Sequence, residues 1–501
     1  MTLCGSESDR HATTISTLLD DVLLDIFDFC REDEDYTVRL STHCLWDRDS
    51  PWNSWKWHLL VHVCRRWREL VFASPRRLNL RIPCTRRTPV NLGIWTALPI
   101  DMDDDLLSSR TQDVTQLEED NILAALKHFD RVYHVRLSLS RLQAFKMATA
   151  MQEPFPVLTR LFLTSYSYWN DDVPALPANF LGGSTPRLQA IGLCSIPYPA
   201  LPTLLLSASN LVKLDLLDIP PAGYISPEAI VAPLAALPKL EIFVMEFAWN
   251  VYRHDRIGPP PVTRTILPVL AYFVFRGAYG YLEDLVGRID GPRLNHISTT
   301  TYRPVGFQLA QLSRFIDQSV GPKLAQCRHA EVSFLYRQVT FHFFHRPDDS
   351  GQDRTSVISY DGIHWEDAQV LSQLPVTLSN VVHLQITCHP EDSPTDITLP
   401  VDLSIQLFQL IRQFSAMQTL LVDSQLSGFV ASILGHIPVR VMTEALPSLE
   451  LLCLQDYCQH SVQIDKFVSA RRHSDHPVTI VNTKKEFREI LESYRDISKN
   501  G

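Results

Sequence analysis

The sequence predicts an α/β fold: a small N-terminal helical module followed by an irregular solenoid of short strands joined by helices or loops. Three observations predict it. Apolar residues fall at helical spacing over residues 17–30 and again over 59–71. From about residue 130 the apolar spacing changes to that of a short strand. That strand pattern then recurs at intervals of 23 to 30 residues. A chain of 501 residues, 45% of them hydrophobic, has room for about three ordinary domains, or for one small domain and a long repeat array. This is not the composition of a disordered protein.

The expected organisation is a disordered start over 1–16, the helical module over 17–82 with an insertion at 31–57, a linker over 83–120, the repeat array over 121–482, and a closing helix and tail over 483–501. In the module, Thr17-Leu-Leu-Asp20 has the form of a capping box, and Val22, Leu23, Ile26, Phe27 and Cys30 then make one wide apolar stripe. Asp21, Asp25 and Asp28 fall on the other face. A second stripe runs through Leu59, Leu60, Val63, Cys64, Trp67, Leu70 and Val71 and ends before Ser74-Pro75, where proline blocks further helix. Two short helices with such wide apolar faces cannot bury them on each other alone, which leaves apolar surface for something else to cover.

These residues carry a family resemblance. Leu18-Leu-Asp-Asp-Val-Leu-Leu-Asp-Ile-Phe27 resembles the opening of an F-box, and Val63-Cys-Arg-Arg-Trp-Arg-Glu-Leu-Val71 resembles its second half. The following Phe72-Ala-Ser-Pro-Arg-Arg-Leu-Asn-Leu80 is similar to the tail seen in the expanded F-box families of mushroom-forming fungi. Leu19 stands where the family usually has proline, and the acidic, tryptophan-rich insertion 31–57 is longer than usual. The resemblance implies docking to a Skp-type adaptor and through it to a cullin. The matching positions are Leu18, Val22, Leu23, Ile26, Phe27, Leu60, Val63, Cys64 and Trp67. It also implies a non-catalytic role as the substrate receptor of a ubiquitin ligase, with the array holding an unidentified protein target. The alternative is an interaction scaffold whose F-box-like helices only cap the array.

In the array an apolar residue recurs at i, i+3 and i+5: Val132/Val135/Leu137, Leu158/Leu161/Leu163, Leu188/Ile191/Leu193, Leu211/Leu214/Leu216, Leu240/Phe243/Met245 and Leu270/Phe273/Phe275, fainter at Leu294/Ile297. It returns at Val381/Leu384/Ile386, Met417/Leu420/Val422 and Leu449/Leu452/Leu454. The first steps, 26, 30, 23, 29, 30 and 24 residues, sit within or just beyond the roughly 20–29 of leucine-rich repeats. Each unit should supply one strand whose i+3 and i+5 side chains point inward. The asparagine usual after such strands is missing, so an irregular leucine-rich-repeat-like array is expected. Residues 305–375 fit worst, with a strand-like run over Glu331–Phe344 and a polar loop over His345–Arg354. Arg160, Phe162, Asp215, Asp218, Val244 and Glu246 flank the core positions and are the expected solvent-facing, target-binding candidates.

Pro154/Pro156, Pro197–Pro202, Pro220/Pro221 and Pro259–Pro261 read as turns between repeats, and Gly182-Gly183 as a further turn. Asp101–Asp105 reads as a solvated linker. Phe487, Ile490, Leu491 and Tyr494, behind Thr483-x-x-Glu486, form the closing helix.

Other chemistries find little footing. His58, His62, Cys44 and Cys64 match no common zinc spacing, so no metal is expected. The eight arginines between Arg65 and Arg87 lack a reading helix or aromatic platform. The net charge of -10 also weighs against nucleic acid as a partner. Pairing of these arginines with Glu32–Asp35, or with an acidic adaptor surface, is expected instead. There is no Gly-x-Ser-x-Gly and no phosphate-cradling glycine loop, so neither catalytic residues nor a cofactor are expected. No signal-like start, no membrane-length apolar run, no Asn-x-Ser/Thr and ten scattered cysteines fit a reduced cytoplasmic or nuclear compartment with no membrane partner.

Overall fold

The computed structural model describes residues 15–29, 57–74, 82–83, 98–103, 116–165, 174–248, 264–302, 310–324, 326–335, 338–344, 356–361, 376–388, 401–436, 446–455, 462–473, 476–483 and 485–486. Most of the expected N-terminal tail, the 31–57 insertion, the His345–Arg354 loop and the stripe Phe487–Tyr494 lie outside them. By contact density the chain divides into two units, 1–137 with 155–158, and 138–154 with 159–501.

The first unit opens with a 3-10 turn, Ile15–Thr17, and helix α1, Asp20–Phe29. The helix therefore starts later than a Thr17 cap requires: the Leu23 amide already bonds back to the Leu19 carbonyl. The second stripe is two helices, not one. Helix α2, Trp57–Val63, and helix α3, Arg65–Ala73, meet at Cys64, whose backbone is extended (φ -157, ψ 172). The Cys64 thiol caps α3 by accepting the Trp67 amide at 3.5 Å. Leu23, Phe27 and Val71 are buried, and the Phe27 and Trp67 rings meet edge-on at 4.7 Å. Arg66 donates to Asp20 at 2.6 Å and to the Leu18 carbonyl. Part of the arginine cluster thus serves to fasten α3 to the start of α1. Glu32–Asp35 lie outside the described residues.

Beyond the module run β1 (Ile82–Pro83), β2 (Ile100–Asp103), α4 (Gln116–Leu126) and β3 (Val132–Leu139), with β1–β2 and β2–β3 paired in parallel. The expected solvated linker is corrected here. Ile100 and Met102 are fully buried, and Asp101 lies on a strand with its carboxylate 2.9 Å from His134 Nδ1.

The second unit repeats one unit of structure many times. After α5 (Arg141–Ala150) come β4 (Arg160–Ser165), β5 (Ala190–Cys194), α6 (Leu201–Leu205), β6 (Lys213–Ile219), α7 (Pro227–Leu234) and β7 (Ile242–Phe247). Then follow β8 (Thr265–Ile266), β9 (Tyr272–Ala278), α8 (Tyr279–Arg288), β10 (Ile289–Asp290), β11 (His296–Tyr302), α9 (Ala310–Ser319) and α10 (Gly321–Leu324). The chain continues through β12 (His329–Leu335), β13 (Gln338–Phe344), β14 (Ser356–Asp361), β15 (His383–Cys388), α11 (Val401–Arg412), β16 (Thr419–Val422), α12 (Ser424–His436), β17 (Leu451–Leu454), the helix Val462–His473 and β18 (Thr479–Val481).

Every residue of the recurring apolar pattern is at most 3% exposed. The i+3 and i+5 residues stand side by side on neighbouring parallel strands, as in Leu161–Ile191–Leu214–Phe243–Phe273–Ile297. From Leu158 onward residue i closes a turn just before the strand, its amide bonding to the carbonyl three residues back, as Leu188 does to Thr185 and Leu270 to Leu267. That earlier position is usually apolar and buried too (Phe155, Leu237, Leu267, Leu378, Phe414, Leu446). Gly182 and Gly183 adopt positive φ in a turn, together with Leu181.

The poorly fitting segment is an excursion from this pattern. Strand order runs β9-β11-β14-β13-β12-β15, with β13 antiparallel to both β12 and β14. The remaining neighbours along the unit pair in parallel, including β11 with β14 and β12 with β15.

Candidate functional site

Two surfaces hold the expected site residues, one on each unit. On the helical module the nine adaptor-binding candidates divide by burial. Leu23 and Phe27 point inward and build the module's own core, while Leu18, Ile26, Leu60 and Trp67 are half-buried. Val22 is 41% exposed, Val63 is 58% exposed, and Cys64 is exposed as well. Two residues outside the expected set join the open face: Leu19 at 74% and Leu59 at 57%. Val22 and Ile26 share one stripe of α1 by their four-residue spacing, with Leu19 just before the helix start, and Leu59 and Val63 share one stripe of α2. The inward stripe of α1, Leu23–Phe27, is displaced from the open one by a single residue, about 100° around the helix. Arg65 and Glu69 pair on the exposed surface of α3, and this raises the arginine pKa through the side-chain bond and the charge of Glu69. Such a solvated pair contributes little to stability.

On the array, residues 160, 162 and 164 of β4 and their ladder partners face away from the leucine core. The expectation that all six target-binding candidates face solvent is corrected for three of them: Phe162, Asp215 and Val244 are buried. Phe162 lies over Gly192 of the neighbouring strand, where any Cβ would collide with its ring. Asp215 sits between Gly192 and Val244 in the ladder, with one carboxylate oxygen 3.0 Å from Lys213 Nζ. Burial pushes the Asp215 carboxyl up from its ordinary range, and Lys213 opposes that shift. Arg160 and Glu246 are half-buried and Asp218 is exposed.

Glu246 is also raised, first by burial and then by the charges of Asp215 and Asp218, with Arg276 pulling the other way. Asp218 accepts a 2.5 Å hydrogen bond from Ser195, and both residues adopt a left-handed backbone (φ 49 and 57). Beside them burial pushes the Cys194 thiol up to about 11. Within the strands Lys213 stands against Asp215 and Arg276 against Glu246.

Among the described residues no group of three or more His, Cys, Asp or Glu side chains has the arrangement of a metal site. Cys44 lies outside these residues, and His62 is exposed. No helix among them is long and apolar enough to cross a membrane.

No protein-family model matches the chain, and no curated protein matches it either. Among solved structures it is similar to the leucine-rich repeat-containing protein LegL7 from Legionella pneumophila. The identity is 12% over 78% of this chain and 97% of that one, with a TM-score of 0.25.

Proposed function

We propose that the chain is a non-catalytic substrate receptor of a Skp-cullin-F-box ubiquitin ligase, docking a Skp-type adaptor through the helical module and holding a protein target on the repeat array. The observation that carries the reading is the division of the α1 and α2 stripes. Leu23 and Phe27 are used up in the module's core, while Val22, Leu59 and Val63 stand open on the two helices and Leu19 just before the first.

Covering four such half-exposed side chains yields about 1 kcal/mol each, some 4 kcal/mol in all. That only reaches the low end of the roughly 4–15 kcal/mol that association costs. The half-buried Leu18, Ile26 and Leu60 must therefore be covered in the same interface. The array contributes by proximity, raising the local concentration of a target lysine near the conjugating enzyme.

The test is co-expression of the full chain with a Skp-type adaptor, followed by affinity recovery. Wild type should retain the adaptor. Val22→Asp and Val63→Asp should each lower recovery at least about tenfold, because a charge placed in a closed apolar interface costs more than 1.4 kcal/mol. Both positions are exposed in the free chain, so circular dichroism should stay unchanged. Failure of the wild-type chain to retain any adaptor sinks the proposal.

A further inference from the structure

Where the excursion rejoins the parallel run, two imidazoles lie face to face. His329 opens β12 and His383 opens β15, and the two residues are direct partners in the parallel ladder. Their ring centroids are 4.4 Å apart and their planes 11° from parallel. His383 Nδ1 also bonds Thr419 Oγ1 of the next strand at 2.7 Å. Both histidines are half-buried, on the face opposite the buried Ala330, Val332, Leu384 and Ile386.

On β12 and its neighbour β13, the other titratable groups of this face are Glu331 and His342, which oppose each other in the ladder. Glu331 accepts hydrogen bonds from Gln385 and Thr387. β15 and β16 bring only uncharged side chains there, Gln385, Thr387, Thr419 and Leu421. Arg328, the residue before His329, is exposed at the strand's start.

We propose that His329 and His383 form a proton-sensitive joint between β12 and β15: the stacked pair accepts one proton, refuses a second, and the seam loosens as the pH falls. A single imidazolium stacked on a neutral ring is tolerable, and the Glu331 carboxylate one step along the strand favours it. Two positive rings in contact repel, so the pair titrates in two separated steps and neither step belongs to one residue. In the unfolded chain both rings take up protons near about pH 6.5. Below that value the unfolded or locally opened state binds one proton more than the closed state, so closure weakens as pH falls. Above it the two states bind equally and the joint is at full strength. The seam matters because β12 is the strand through which the antiparallel excursion returns to the parallel run.

The test uses the full chain with labelled histidine rings, titrated by NMR from about pH 8 to about pH 5. The His329 and His383 signals should titrate in two steps more than about one pH unit apart. In His329→Gln the remaining His383 signal should collapse to one step, and in His383→Gln the His329 signal should do the same. Hydrogen exchange, corrected for the intrinsic pH effect, should show β12 and β15 amides losing protection by up to about tenfold per pH unit below about 6.5 in wild type but not in either variant. A single shared step for both rings in wild type overturns the proposal. So does an acid response of the seam that is the same in wild type and His329→Gln.

Discussion

Phe27 meets Trp67 edge-on, ring centroids 4.7 Å apart and planes at 61°, so a ring contact joins α1 to α3. Phe27 is 3% exposed and sits on the inward stripe of α1. Truncating a buried phenylalanine costs about 3–5 kcal/mol. Phe27→Ala should therefore speed hydrogen exchange of the α1 amides by at least about a hundredfold. Amides of β5 to β7, in the other unit, should keep their rates. Unchanged exchange in α1 would mean that the ring contact holds nothing together.

Gly192 should tolerate no side chain. The Phe162 ring occupies the space a Cβ would need, and overpacking of this kind costs about 1–3 kcal/mol. Gly192→Ala should lower the thermal midpoint, and Phe162→Leu introduced with it should recover part of the loss. A non-additive double-mutant cycle in thermal unfolding is the measurement. Purely additive effects would show that the ring does not lie where described.

Glu283 gives a pH dependence of defined sign. The residue is buried on α8, where its two carboxylate oxygens accept the Gln311 and Leu312 amides at the start of α9. Burial raises its carboxyl above the ordinary value despite those two bonds. A folded-state value above the unfolded one means that the native chain binds the extra proton between the two. The cost of the buried charge is full above the folded value and fades as pH falls through it. Wild type should therefore gain stability relative to Glu283→Gln between neutral pH and about pH 5. Thermal midpoints of the two proteins across that range should diverge in this direction.

Cys194 and Cys64 should separate in an alkylation experiment. The Cys194 thiol is half-buried and raised to about 11. At about pH 8 only around one molecule in a thousand carries it as thiolate. Cys64 is exposed. Iodoacetamide followed by peptide mass spectrometry should label Cys64 first and leave Cys194 largely unmodified in the native chain. Equal labelling would contradict the burial of the Cys194 environment.

Much of the array was legible because strand spacing alone decides which face a side chain meets. Leu161 and Leu163, or Leu420 and Val422, fall on one face by alternation, and nothing local competes with that. The turn-closing position three residues before each repeat was also open to view, in Phe155, Leu237, Leu267, Leu378, Phe414 and Leu446. The i, i+3, i+5 spacing does not mark it, because that pattern begins three residues later.

Other features have no local signature. No glycine or proline marks the break at Cys64, and the apolar stripe runs through it because α2 and α3 are both amphipathic. The neighbour that β12 chooses is a long-range choice, which alternation over Glu331–Phe344 does not encode. Phe162, Asp215 and Val244 defeated the solvent-facing expectation because these strands bury both faces, as parallel strands commonly do. In the helical module the apolar positions were legible. Their division into a buried and an open stripe was not, since it depends on which face meets α3.

The excursion at β13 and β14 leaves the direction of the parallel run unchanged. β13 and β14 lie between β11 and β12, both of which point the same way as the parallel run. The inserted pair is one reversed strand, β13, antiparallel to both its neighbours, and one forward strand, β14, parallel to β11, so the strands on either side keep one direction. The array can thus lengthen or shorten by such a pair without renumbering its inward-facing positions. Excising residues 338–361 and rejoining the ends would place β11 and β12 side by side in the same polarity as any other neighbouring repeats. In architectural terms the excursion is a detachable panel, and the repeat grammar on either side of it reads the same with or without it.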